Sequence, residues 1–182
     1  KALAEQLVRQ APDLGLETVI IIPTAIVGPY DFRPSLLGQA LQLLASGRIP
    51  ALVRGGYDWV DVRDVVWGAI RAQQTAQSGE RYILSGHWRS LRELAQITVS
   101  HTGVAAPRLV VPVWLAEIFQ PVMAKLAQIN GTQPLYTKSM LSAMRSNRQI
   151  SHAKAARDLG YAPRPFDETL QDTLNWFRHH KD

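Results

Sequence analysis

The sequence contains no cysteine among its 182 residues. This absence excludes a disulfide framework, a thiolate nucleophile and a zinc site built on cysteine, and it gives no sign of an oxidising compartment. We therefore expect a cytoplasmic protein. Long hydrophobic runs are also missing, because charged residues interrupt every apolar stretch well short of the roughly 18–20 residues that cross a bilayer. We expect no membrane span.

No segment concentrates charge of one sign, although the net charge is +5. Lys/Arg and Asp/Glu number 4 and 4 over residues 1–50, 6 and 5 over 51–100, 3 and 1 over 101–144, and 7 and 5 over 145–182. A chain that binds nucleic acid gathers its basic residues on an arm or a patch. We therefore expect no nucleic-acid partner.

The composition and the hydrophobic pattern indicate a folded α/β protein. Hydrophobic residues make up 46% of the chain, which excludes the signature of disorder. Residues 1–10 place Leu3, Leu7 and Val8 on one helical stripe. Residues 17–23 then form an apolar run without alternation, which is typical of a parallel strand covered on both faces. A helix followed by such a strand is the second half of a βαβ unit.

The next segments predict further short elements. Residues 27–34 are rich in turn-forming residues and lead into a helix from Ser35 to Ala45, with Ser35 as its N-cap. Residues 51–62 predict two strands around Gly55-Gly56, which is a hairpin signal. Asp61 or Asp64 caps the helix that follows, and we interpret Asp64 as that cap.

The second half of the chain continues the α/β pattern. Arg81–Leu84 and residues 108–112 predict strands, and Val113–Ile129 predicts a helix with a broad apolar face. Ser90 and Glu93 form a Ser-x-x-Glu capping box. No group of histidines has metal-ligand spacing, so we expect no metal. We interpret four tryptophans as packing residues: Trp67, Trp88, Trp114 and Trp176.

Three motifs in fixed order resemble one enzyme family. They are residues 20–29 (IIIPTAIVGP), 59–65 (WVDVRDV) and 151–161 (SHAKAARDLGY). Together they resemble the carboxyl half of extended short-chain dehydrogenases/reductases, the NAD-dependent epimerase/dehydratase family, and most closely its dihydroflavonol-4-reductase-like branch, which includes hopanoid-associated sugar epimerases. The resemblance implies the last part of a Rossmann-type parallel sheet and a small α/β substrate-binding lobe. Residues 1–182 would then be the carboxyl-terminal portion, with the dinucleotide-binding half absent.

The resemblance implies which residues handle the proton and the cofactor. Lys1 matches the lysine of the family's Tyr-x-x-x-Lys motif, whose tyrosine would lie four residues upstream. The ammonium group of this lysine can stabilise the tyrosinate, which lowers the pKa of the phenol from its reference value of about 10 toward neutrality. The same ammonium group can also donate hydrogen bonds to the nicotinamide ribose. The segment that would lie against the nicotinamide of NAD or NADP consists of Pro23, Thr24, Ala25 and Ile26.

The substrate-facing elements of the family correspond to the loop of residues 30–35 and the predicted hairpin of residues 52–59. Candidate substrate-binding residues are Tyr30, Arg33, Ser35 and Arg54. Sugar-nucleotide members of the family commonly carry Arg-Asp-Phe where this chain has Tyr57-Asp58-Trp59, so the usual diphosphate clamp is missing. Arg33 or Arg54 could replace it, since guanidinium binds phosphate in a bidentate manner. A smaller ketone, polyol or sugar fits equally well.

The resemblance implies an NAD(P)-dependent reductase or epimerase that transfers a hydride to or from a small-molecule substrate. A non-catalytic binding or assembly module with the same fold is the alternative. The residue four positions before Lys1 discriminates the two, because catalysis needs a tyrosine there. The family also implies a homodimer through the helix that carries Lys1, unless Leu3, Leu7 and Val8 face the molecule's own core.

Overall fold

A computed structural model describes residues 2–129, 136–145 and 148–180. The described residues form fifteen helices and strands, together with a 3-10 turn over Ala11–Leu14. In chain order they are α1 (Ala2–Gln10), β1 (Ile20–Pro23), β2 (Ala25–Val27), α2 (Leu36–Ala45), β3 (Ala51–Val53), β4 (Gly56–Asp61), α3 (Val62–Thr75), β5 (Arg81–Leu84), β6 (His87–Ser90), α4 (Leu91–Thr102), β7 (Leu109–Val111), α5 (Val113–Ile129), α6 (Lys138–Ala143), α7 (Ala153–Leu159) and α8 (Phe166–His179). The mixture of helices and parallel strands confirms the predicted α/β class.

The strand predicted at residues 17–23 forms as β1, which pairs in parallel with β5. One face of this pair is buried, because Ile21 and Tyr82 pack into a core with α3 and α7. On the opposite face Ile22 and Ile83 are 37% and 40% exposed. The prediction of a strand covered on both faces is therefore wrong for the described residues, which cover only one of them.

The predicted hairpin at Gly55-Gly56 is wrong, although both of its strands form. β3 pairs in parallel with β7, whereas β4 pairs in parallel with β2 and antiparallel with β6. Gly56 shows why β4 and β6 approach so closely, because a Cβ at this position would lie 2.3 Å from the carbonyl oxygen of Arg89. The two glycines therefore let the chain leave one sheet and enter another.

β4 joins the two hydrophobic cores of the protein. Tyr57 and Trp59 project from one face of this strand into the larger core, which α2, α4 and α8 also form. Val60 projects from the opposite face into the smaller core, beside Leu84. This alternation follows from the two-residue period of a strand. The larger core contains the stripe predicted on the last helix, since Leu170, Leu174 and Phe177 are all buried there.

Side-chain caps fix the beginnings of α2, α3 and α4. The Ser35 hydroxyl accepts a hydrogen bond from the Gly38 amide at the start of α2, as predicted. The predicted capping box of α4 is also present, since Ser90 and Glu93 bond each other's backbone amides. The cap of α3 is Asp61 rather than Asp64, because its carboxylate accepts from the Arg63 amide at 2.8 Å.

Gly28 is the position where the loop after β2 tolerates no side chain. Its φ is +156°, and a Cβ there would lie 2.5 Å from Cγ1 of Val62. We expect Gly28→Ala to lower the free energy of unfolding by about 2–3 kcal/mol, because the added methyl group forces Val62 and the start of α3 to move. The denaturant midpoint measures the loss.

The matched control for this prediction is Gly79→Ala. Gly79 also has a positive φ, +87°, but a Cβ there meets nothing within 4 Å. Only backbone strain of about 1 kcal/mol is expected at this position. Equal midpoints for the two variants would show that the contact with Val62 is unimportant.

Candidate functional site

The predicted cofactor segment lies where β1 ends and β2 begins. Pro23 closes β1 opposite Leu84, and proline has no N–H with which to continue the ladder. The Thr24 amide donates to the Leu84 carbonyl oxygen at 3.3 Å, and its hydroxyl donates to Oδ1 of Asp58 at 2.7 Å. The turn is therefore fixed to two neighbouring strands, at the carboxyl end of a parallel strand where α/β proteins bind ligands.

Asp58 is the group that fixes this turn, a role that none of the sequence motifs predicted. Its side chain lies in the middle of β4, and the residue is only 7% exposed. The same oxygen, Oδ1, also accepts from the Gly86 amide at 2.7 Å. The carboxylate thus joins the β1–β2 turn to the start of β6. A buried acid within an otherwise apolar and aromatic strand is the sequence signal for such a role.

We expect Asp58→Ala to lower the free energy of unfolding by about 2–4 kcal/mol, because it leaves the Gly86 amide and the Thr24 hydroxyl without their acceptor. Asp58→Asn retains an oxygen that can accept both bonds and loses only the charge, so we expect it to cost about 1 kcal/mol. Chemical denaturation of both variants measures the difference. A similar cost for the two would mean that the charge, rather than the bonds, is what matters.

Ala25 and Ile26 lie on opposite faces of β2. Ala25 packs against the larger core, whereas Ile26 is 38% exposed. Their backbone pairs with Trp59 and Val60 of β4. Of the four predicted cofactor residues, Pro23 and Ile26 therefore offer apolar surface, while Ala25 and Thr24 mainly hold the turn in place.

The loop after β2 carries an aromatic cluster of Tyr30, Phe32 and Trp176. The Tyr30 and Phe32 rings are exposed and lie 5.1 and 5.0 Å from the Trp176 ring, centroid to centroid. Tyr30 has φ +72°, a left-handed conformation that costs energy for a non-glycine residue. Trp176 was not predicted as a site residue, because only the fold brings α8 against this loop, whereas Phe32 lies within the loop that was predicted to face the substrate.

The three polar candidates lie in different settings. The Ser35 hydroxyl is engaged, because it caps α2 and also donates to Asp31 at 2.9 Å. Arg33 lies exposed in the same loop. Arg54 is exposed just after β3, and its backbone amide donates to Val111. Among the described residues neither arginine forms an ion pair, so both guanidinium groups are free to bind a ligand.

A small cavity of about 40 Å³ lies inside the larger core, next to Val27 and Leu37. Apolar and aromatic side chains line it, and the Tyr57 hydroxyl at its wall donates to the Met140 carbonyl oxygen at 3.0 Å. Burial, reinforced by nearby Tyr136, raises the pKa of the Tyr57 phenol well above its ordinary value. Tyr57 therefore stays protonated and does not supply a tyrosinate.

The chain matches curated relatives over almost its whole length. It is 32% identical over 180 residues to sterol demethylase protein B of Methylococcus capsulatus, a match that covers 98% of this chain and 55% of that protein. It is 30% identical to a putative dihydroflavonol 4-reductase of a Synechocystis species, covering 99% of this chain and 54% of that protein. The chain thus spans about half the length of the curated relatives it matches. No family model matches it.

The fold also matches solved structures of this class. One of them is the structure of a dTDP-glucose 4,6-dehydratase from Streptomyces venezuelae with NAD bound. The match covers 100% of this chain and 50% of the dehydratase chain, with a TM-score of 0.68 and 22% sequence identity. The chain is also 26% identical over 204 residues to short-chain dehydrogenase/reductase family 42E member 1 of Homo sapiens, covering 99% of this chain and 50% of that protein. The chain is homologous to short-chain dehydrogenases/reductases. This result confirms the resemblance to the dihydroflavonol-4-reductase-like branch and the Rossmann-type fold that it implied.

Lys1, the predicted catalytic lysine, lies outside the described residues. The helix that follows it is held to β5 by Glu5, which bonds Arg81 at 2.8 Å and Arg9 at 3.1 Å. These two hydrogen bonds lower the pKa of the Glu5 carboxyl. Leu3 and Leu7 are 70% and 61% exposed, so among the described residues the stripe of α1 does not face the molecule's own core.

Four of the five tyrosines do not take the place of the one expected upstream of Lys1. Burial raises the pKa of Tyr57, Tyr82, Tyr136 and Tyr161, which keeps these phenols protonated. Within residues 2–129, 136–145 and 148–180, no three His, Asp or Glu side chains are grouped to hold a metal ion. In the same part of the chain no helix has the length and apolar character of a bilayer-crossing segment.

Proposed function

We propose that this chain is the carboxyl-terminal portion of an NAD(P)-dependent oxidoreductase or epimerase that acts on a ketone, polyol or sugar-type substrate. The observation that carries the proposal is the Pro23–Thr24 turn, which Asp58 and Leu84 hold at the carboxyl end of a parallel strand. The homology to reductases and the NAD-bound dehydratase structure support the same function. A cytoplasmic location stays a prediction.

The residues at this turn fit the nicotinamide end of NAD or NADP. That ring needs an apolar surface, which Pro23 and Ile26 provide, and backbone groups that are fixed in place, which Thr24 provides. When bound, the cofactor supplies or accepts the hydride. The chain has no Gly-rich phosphate-binding loop, so the pyrophosphate would be held by a part of the protein outside residues 1–182.

Proton transfer in the proposed reaction depends on Lys1 and a tyrosine four residues before it. Side chains four apart share one face of a helix, so an ammonium group at Lys1 lowers the pKa of that phenol by favouring its charged form. The tyrosine then donates a proton to the substrate oxygen or accepts one from it. The buried tyrosines of the described chain cannot do this, because burial raises their pKa.

The substrate that fits this site is more apolar than a nucleotide sugar. The position where sugar-nucleotide members carry an arginine is Tyr57, whose ring projects into the larger core and not toward a ligand. The exposed Tyr30 and Phe32 rings instead give the loop an aromatic surface, on which a ring of the substrate can stack. Arg33 and Arg54, which form no ion pair among the described residues, remain available for anionic groups of the substrate.

Binding and turnover by the protein that contains this chain at its natural length test the proposal. We expect NADH or NADPH fluorescence to change saturably on binding, and a panel of ketones, polyols and sugars to include at least one substrate. Saturable binding without turnover on any member of the panel would favour the non-catalytic binding module. No binding of either nucleotide would overturn the proposal.

We also propose that the protein dimerises through α1. Its exposed Leu3 and Leu7 form an apolar stripe on a helix whose Glu5 bonds Arg81 of β5. We expect Leu7→Glu to shift the protein from dimer to monomer, because it places a charge in the interface, while Glu17→Gln does not. Light scattering during gel filtration measures the mass. A dimer that survives Leu7→Glu must use another surface.

A further inference from the structure

α5 exposes more large apolar side chains than a solvent-exposed surface helix normally does. Six of its side chains are between 56% and 71% exposed: Trp114, Ile118, Phe119, Val122, Met123 and Ile129. At about 100° per residue, these positions spread over roughly half of the helix circumference. The opposite side faces the protein, since Val113 and Ala116 pack against the larger core. A contiguous exposed patch of this kind marks an interaction surface.

This finding corrects the interpretation of Trp114 as a packing residue. Trp114 is 57% exposed and begins the patch, with Ile118 and Val122 following at four-residue spacing along the same side of α5. An amphipathic indole at the end of such a patch is typical of the boundary between water and lipid. The structure therefore places an interfacial side chain where the sequence suggested a core one.

Positive charge predominates around α5. Residues 104–150 contain five Lys/Arg and one acidic residue, Glu117, so nearly all of the net positive charge of the chain lies in this region. Glu117 is already paired, because Arg145 bonds its carboxylate at 2.6 Å. Lys125 lies within the exposed side of α5, where its stem can follow the apolar patch while its ammonium reaches polar groups. Arg108 and Lys138 are exposed on the flanking segments.

We propose that α5 binds the surface of an anionic lipid membrane, with its axis parallel to the surface. The apolar patch enters the boundary between headgroups and acyl chains, and the basic residues contact lipid phosphates. With 17 residues and no bilayer-crossing character among the described helices, α5 lies on a membrane and does not span it. A second copy of the chain fits this surface less well, because two regions of equal positive charge repel each other.

Vesicle flotation of the protein at its natural length tests the proposal. We expect binding to phosphatidylcholine vesicles that contain phosphatidylglycerol, at least tenfold weaker binding to pure phosphatidylcholine, and a similar loss at high salt because screening removes the attraction of the basic residues. The double variant Ile118→Glu/Val122→Glu is expected to lose binding at least tenfold. Val66→Glu/Ile70→Glu, which makes the same two changes at exposed positions four residues apart on α3, is the matched control and is expected to bind normally.

Tryptophan fluorescence gives a second readout that does not depend on a destabilised variant. Adding anionic vesicles is expected to shift the emission to shorter wavelength as Trp114 leaves water, and Trp114→Phe is expected to abolish the shift. The proposal is overturned if the wild type does not bind anionic vesicles, or if the double variant binds them as the wild type does. It is also overturned if the α5 variants abolish only an association with another copy or with an acidic protein.

Discussion

Asp61→Ala is expected to lower the free energy of unfolding by about 3–5 kcal/mol, because it removes a fully buried carboxylate on which two arginines converge. The Asp61 side chain is fully buried and bonds the Arg63 guanidinium twice, at 3.0 and 2.7 Å. Arg164 lies within 3.7 Å of the same carboxylate. Without Asp61, the positive charges of Arg63 and Arg164 lose the carboxylate that lies between them and repel each other more strongly. α3 also loses its N-cap. Chemical denaturation measures the loss.

Asp172→Ala is the matched control for Asp61→Ala. Asp172 bonds the same guanidinium at 2.7 Å, but its side chain is 38% exposed. An ion pair at such a position contributes about 1 kcal/mol or less, because water screens it and its partners lose side-chain entropy. If the two variants were equally stable, burial of Asp61 would not determine the strength of the network.

The same network predicts how stability depends on pH. Burial opposes ionisation of Asp61, but hydrogen bonds from Arg63 and Thr169 outweigh it and hold the pKa of this carboxyl below its ordinary value. A group whose pKa is lower in the folded state contributes stability that is complete above its unfolded pKa, about 3.9, and is lost as the pH falls through the folded value. Below about pH 4, the stability of the wild type should therefore fall more steeply than that of Asp61→Asn.

Lys1→Met is expected to reduce kcat of the protein at its natural length by about 10²–10⁴, which is the usual contribution of a positioned acid–base pair. This prediction depends on the proposed function. Loss of the ammonium group returns the pKa of the upstream tyrosine toward 10, so the optimum of the pH–rate profile is expected to move to higher pH. Steady-state kinetics across pH measure both effects.

Arg9→Met provides the control for Lys1→Met, because it removes a cation eight residues further along the chain, at an exposed position of α1. We expect its kcat to stay within about twofold of the wild type, since surface charges contribute little. Lys1→Arg is expected to restore part of the activity, because it restores the charge. An unchanged pH profile in Lys1→Met would refute the assigned role of Lys1, even if its activity were lower.

The sequence by itself determined the helices, most strands and several of their boundaries. The caps at Ser35 and Ser90, the strand Arg81–Leu84 and the limits of α5 all form as predicted. Each of these signals lies within a few residues of the element that it controls, so the chain needs no distant partner to express it. The motifs that resemble short-chain dehydrogenases/reductases are local in the same sense.

Only the tertiary structure decided which distant residues meet. It turned the expected hairpin into two strands with separate partners, since β3 pairs with β7, more than fifty residues further along the chain. In the folded protein Asp64 accepts a hydrogen bond from Arg164, one hundred residues away, and Asp61 caps α3. The tertiary structure also gave Asp58 its role at the Thr24 turn and left Trp114 in contact with solvent. The physical reason is that burial, pairing and exposure depend on groups far apart in sequence, whose approach no local pattern records.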